Sequence, residues 1–85
     1  MTKERMLELR EKYSRLFEFA EKYSDLLSYL KAMVVKASDE NSVISYSDNA
    51  IGFFDCLVDL GKISHSESFF LVSDLFDFRR DIIGL

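Results

Sequence analysis

Residues 6–37 read MLELREKYSRLFEFAEKYSDLLSYLKAMVVKA, and within them Met6, Leu9, Tyr13, Leu16, Ala20, Tyr23, Leu27, Leu30, Val34 and Ala37 alternate at steps of three and four. That spacing is the a/d seam of a heptad repeat, and it predicts one long helix over about 2–37 that lies against other helices. Thr2 is a usable N-cap, and at about 1.5 Å per residue the rod is roughly 50 Å long. Phe17, Phe19, Leu26 and Met33 broaden the stripe from its middle onward, so that half is expected to bury against the rest of the chain. The narrower half, carrying Met6, Leu9, Tyr13 and Leu16, is left as the expected self-association surface, which makes a coiled-coil homodimer the expected assembly.

Glu11-Lys12-Tyr13-Ser14 recurs as Glu21-Lys22-Tyr23-Ser24. The offset turns the second copy by about 80° on a helix, and two copies are too few for a repeat fold, so the repetition suggests no function.

The pattern breaks at Ser38-Asp39-Glu40-Asn41-Ser42, which predicts a linker over 38–46 in which Val43, Ile44 and Tyr46 are extended. Ser45 or Ser47 then caps a second helix over about 47–60, with Ile51, Phe54, Leu57, Val58 and Leu60 apolar and Gly61 as the C′ residue. Ser64 and Glu67 have capping-box spacing and open a third helix over about 65–83, ending at Gly84. Only Gly61 to Ser64 separate these two helices, so they form a hairpin. The predicted fold is all-α: a long N-terminal helix packed on a C-terminal hairpin, a bundle completed by dimerisation.

Composition agrees with a small helical domain. The 85 residues include no Pro and three Gly, are 48% hydrophobic and 31% charged, and contain no apolar run of bilayer-spanning length. The single Cys56 cannot form an internal disulfide and sits among Phe53, Phe54, Leu57 and Val58, which predicts a buried, inert thiol in a reducing cytoplasmic setting.

No catalytic constellation emerges. His65 is the only histidine, so metal ligation or a proton relay lacks a second imidazole. Gly52, Gly61 and Gly84 are isolated, which excludes a phosphate-cradling glycine-rich loop. Asp74, Asp77 and Asp81 share one helix side, but one helix presents too few oxygens for a hard cation. The expectation is a non-enzymatic protein with no cofactor and no metal.

Charge divides the chain. Residues 1–37 carry eight basic and six acidic side chains, whereas residues 38–85 carry nine acidic and three basic ones, a local net charge of −6. Asp55 and Asp59, with Asp48, form a row on the second helix, and Glu67, Asp74, Asp77 and Asp81 form another on the third. Such stripes repel nucleic acid and attract a basic surface. These residues are therefore the candidate partner-binding face of a regulator, adaptor or inhibitor, and the expected partner is a basic protein, such as one with a nucleic-acid-binding groove.

Leu57 to Arg80, with Asp59-Leu60-Gly61-Lys62-Ile63-Ser64 and Leu75-Phe76-Asp77-Phe78-Arg79-Arg80, resembles the end of HEPN-type helical domains. In that family an arginine followed shortly by a histidine carries ribonuclease activity. The resemblance implies, as an alternative, an RNA-processing toxin or a degenerate relative using Arg79 or Arg80; no histidine follows within residues 81–85. A structural subunit of a larger complex is the third alternative.

Overall fold

The chain is described by a computed structural model covering residues 2–84, with backbone alone for Thr2, whose expected capping side chain lies outside the described residues. Among these residues there are five α-helices and no strand: α1 (Thr2–Lys12), α2 (Ser14–Ala20), α3 (Ser24–Val35), α4 (Glu40–Asp59) and α5 (His65–Ile83). The all-α fold class is as the sequence predicts. The long N-terminal helix is not, because the stretch expected to form one rod is divided into three.

Both divisions fall in the two Glu-Lys-Tyr-Ser segments. At the first, the Tyr13 N–H still donates to the Leu9 carbonyl at 2.8 Å and the Tyr13 carbonyl accepts from Phe17 at 3.0 Å, yet Tyr13 itself leaves helical angles at φ −112°, ψ 46°. The helix kinks there. At the second, Lys22 and Tyr23 make tight i→i+3 bonds to Phe19 and Ala20, Tyr23 becomes extended, and α3 begins on the next residue. Each tyrosine then sets its ring edge-on against a phenylalanine of the hairpin: Tyr13 on Phe78, with centroids 5.6 Å apart, and Tyr23 on Phe53, at 5.4 Å. The seam is thus cut where a large ring gains more by turning onto α4 or α5 than by staying in register.

The chain folds back at these breaks, and α3 returns to contact both α1 and α4. The longest dimension of the molecule is 38 Å, shorter than the rod the seam predicts. Leu9 and Leu16 are fully buried in a core shared with Phe17, Leu30, Phe54 and Phe78, while Met6 and Tyr13 pack half-buried against it. The residues of the expected self-association surface are thus turned onto their own chain, Leu9 and Leu16 fully and Met6 and Tyr13 in part. A domain this small has little apolar material to spare, and an intramolecular fold-back covers the stripe without the entropy loss of association.

The linker is corrected as well, since α4 starts at Glu40 and Val43, Ile44 and Tyr46 are helical. Its cap is Asp39 rather than Ser45 or Ser47; the Asp39 carboxylate accepts from the Ser42 N–H at 3.3 Å and from the Ser42 hydroxyl at 2.7 Å. With that start, Val43, Ser47, Ala50, Phe54 and Leu57 form one buried stripe at helical spacing. Gly61 closes α4 at φ 72°, its N–H bonding to Val58 and that of Lys62 to Leu57, a Schellman ending. The capping box of α5 is complete: the Glu67 N–H donates to Ser64 Oγ at 3.1 Å and the Ser64 N–H to Glu67 Oε1 at 3.2 Å. The helix stops at Gly84, φ 77°.

Candidate interaction surface

Chemistry-bearing side chains are scattered. His65 is exposed on the first turn of α5, and Cys56 is exposed on α4 rather than buried. The reason is angular: on the helix Cys56 points about 100° away from the buried Leu57 and about 160° away from the buried Phe54, because chain adjacency to apolar residues is not a shared helix face. Among the described residues no group of three or more His, Cys, Asp or Glu is placed to hold a metal ion, and no helix is long and apolar enough to cross a membrane.

The acidic residues of α5 have intramolecular partners. Asp74 takes a two-point contact from Arg15, with Nε and Nη2 each at 2.8 Å, so α2 is bolted to α5 and Arg15 is held more firmly protonated. Asp81 accepts from Lys12 Nζ at 2.8 Å and from the Tyr13 hydroxyl, and these two partners draw its carboxyl below the usual range. Asp77 pairs with Arg80 one turn on, at 3.2 Å, and Glu67 is occupied by the cap. Burial, followed by the bond to Asp81, pushes the Tyr13 phenol up to about 12.

On α4 the situation is reversed. Asp48, Asp55 and Asp59 are exposed and have no hydrogen bond or ion pair among the described residues. Of the predicted partner-binding residues, Asp55 and Asp59 are therefore free to meet another molecule, whereas Asp74 and Asp81 already hold α5 to the end of α1 and to α2.

The feature that sequence reasoning missed is aromatic. Phe69 is 69% exposed and Phe70 52%, with Phe76 and Leu60 also open to solvent on the same hairpin. Phe69 and Phe70 meet edge to face at 5.8 Å. Guanidinium groups lie over two of the rings, Arg15 over Phe70 at 5.4 Å and Arg79 over Phe76 at 4.9 Å. Phe70 also borders an open cleft of about 490 Å³ between α2 and α5, floored by Phe19 and Leu71 and rimmed by Lys22 and Glu67. The legible signal was the period: a buried stripe through Leu71, Leu75 and Phe78 leaves Phe69 and Phe76, seven apart, on the outside.

Arg79 and Arg80, the arginines of the HEPN resemblance, are turned to packing and surface roles. Arg79 is half-buried and donates to the buried Ser47 Oγ at 3.3 Å, joining α5 to α4, and Arg80 reaches Asp77.

No protein-family model matches the chain, and comparison with the curated proteins and with the solved structures likewise finds no match. The class of protein is thus defined by the fold alone: a five-helix, all-α domain with an aromatic hairpin at its surface.

Proposed function

We propose that this is a small non-enzymatic interaction module, a regulator, adaptor or inhibitor that docks the α4–α5 hairpin onto a basic protein. The observation that carries the reading is the exposed pair Phe69 and Phe76, seven apart on one side of α5, in a chain that turns Leu9, Leu16, Leu30 and Val34 of its N-terminal seam inward. Large aromatic side chains left on a shared solvent-facing side of a small domain, as Phe69 and Phe76 are, mark an interaction site. Aromatic side chains are also the residue type that anchors protein interfaces. The free carboxylates of α4 supply long-range attraction to a basic partner and disfavour nucleic acid itself. For an RNA-cleaving role, by contrast, Arg79 is engaged with Ser47 and Phe76 and Arg80 with Asp77, away from any second catalytic group among the described residues.

The test is affinity capture from the native cell with tagged wild-type protein and with the Phe69→Ser/Phe76→Ser variant, followed by mass spectrometry. A protein retained in stoichiometric amount by the wild type and lost from the folded variant is the expected result. Equal retention by both would overturn docking through the hairpin.

A further inference from the structure

Ring contacts of Tyr23 with Phe53 and of Tyr29 with Tyr46 set one flank of α4 against the α3 side of the bundle, and the Ser47–Arg79 bond sets the opposite flank against α5. The hairpin runs antiparallel. Counting equal rise from that bond puts Phe76 level with Ala50 and Ile51, and Phe69 level with Leu57 and Val58. Ile51 and Val58, seven apart and half-buried, lie between the buried stripe of α4 and its outer surface on the α5 side. The edges of the furrow between the two helices therefore carry apolar side chains at two successive levels about 10 Å apart, with the Arg79 guanidinium lying over Phe76 and bonded to Ser47 at one of them. Next to it, one step further around α4, run Asp48, Asp55 and Asp59 in a single row without internal cations.

From this arrangement, and resting on the docking reading above, we infer that the furrow receives a cationic amphipathic helix of a protein partner. Its apolar stripe seats on Phe69, Phe76, Ile51 and Val58, and its basic flank faces Asp48, Asp55 and Asp59. A helix matches the site because its i, i+3, i+4, i+7 side chains recur at the same heptad rise as the two levels of the furrow. Charge decides which helix. A second copy of this chain would bring together two C-terminal segments of nine acidic and three basic residues each, so like charges would face one another, whereas a lysine- or arginine-flanked helix neutralises the row.

The probe is a fluorescently labelled helical peptide of leucine and lysine, about 18 residues long to match the span of α4, with leucines at i, i+3, i+4, i+7; the control replaces every lysine by glutamate. Anisotropy at physiological salt should show the lysine peptide binding at least roughly tenfold more tightly than the glutamate one. Phe69→Ser/Phe76→Ser should abolish binding, and Asp55→Lys/Asp59→Lys should weaken it by more than about tenfold. Glu11→Lys/Asp25→Lys, the same charge change off the face, should leave it within about twofold, with melting by circular dichroism confirming that each variant is folded. Equal weakening by Glu11→Lys/Asp25→Lys would reduce the effect to net charge and overturn the assignment. Equal binding of both peptides through Phe69 and Phe76 would overturn the cationic occupant but leave docking intact. A dimer in sedimentation that Phe69→Ser/Phe76→Ser removes would assign the furrow to a second copy instead. Should neither peptide bind while a native partner is still captured through Phe69 and Phe76, the helix assignment alone fails and the docking reading stands.

Discussion

The hydroxyl of Tyr13, at the first kink of the N-terminal stretch, donates to the carboxylate of Asp81 near the end of α5. Lys12 reaches the same carboxylate at 2.8 Å, and Arg5 donates to the Asp81 carbonyl at 2.9 Å. Two cations and a phenol thus gather on the C-terminal turn of α5, where the unsatisfied carbonyls of a helix carry partial negative charge. The kink, the ion pair and the helix end form one junction that closes α1 onto the last turn of α5.

Tyr13 should titrate late. Its phenol is pushed up to about 12 by burial and by Asp81, so the neutral form is favoured in the folded chain. The resulting stability is complete below an unfolded-state value of about 10 and is lost as pH rises through 12. Ultraviolet phenolate absorbance should show one late-titrating tyrosine that disappears in Tyr13→Phe. A titration of the wild type that lacks a late step removed by Tyr13→Phe would contradict the junction.

Acid should act through carboxyls held below their ordinary values. Lys12 and Tyr13 lower Asp81, and the Ser42 hydroxyl and N–H lower Asp39. The stability each contributes is complete above an unfolded-state value of about 3.9 and is lost as pH falls through the lower folded value. Urea titrations between about pH 6 and pH 2 should therefore show stability falling at the acid end, with a shallower fall in Asp81→Asn.

Leu16→Ala should cost about 2–5 kcal/mol, because Leu16 is fully buried in the core and a packed core closes only partly around the space left. Leu9→Asp/Leu16→Asp should unfold the chain, since both carboxylates would be buried without cations. Phe69→Ser, at an exposed site, should leave the urea midpoint nearly unchanged. A folded, soluble double-Asp variant would show that the seam is not core.

Backbone endings give a cleaner pair of tests. Ser64→Ala removes one half of the capping box and should cost about 1 kcal/mol. Gly61→Ala meets no atom within 4 Å of the added carbon, so its cost comes from the positive φ of 72° alone and should be about 1–2 kcal/mol. Thermal or urea unfolding reads both; an unchanged Gly61→Ala would mean that the α4 ending relaxes out of the left-handed region.

Some of this molecule was written in local sequence. The capping box at Ser64 and Glu67, the glycine endings at 61 and 84, and the four-residue hairpin depend only on neighbours in the chain, and a reader of the sequence finds them because their hydrogen bonds close within a few residues. The apolar spacing likewise determined that the fold is all-α. The start of α4 was legible in principle through Asp39 and the Val43-Ser47-Ala50-Phe54-Leu57 stripe, but a polar Ser47 in the buried row hides it; Ser47 is tolerated there because Arg79, distant in sequence, donates to its hydroxyl. Only the tertiary structure decided that the heptad seam would break. A three-four alternation is equally satisfied by a partner helix and by the chain's own later helices, and the choice rested on contacts from Tyr13 to Phe78 and from Tyr23 to Phe53 that no local pattern encodes. The acidic stripes divided for the same reason: Asp74 and Asp81 meet Arg15 and Lys12 because the kink brings the early helices across α5, while Asp48, Asp55 and Asp59 face outward from α4 with no basic side chain in range.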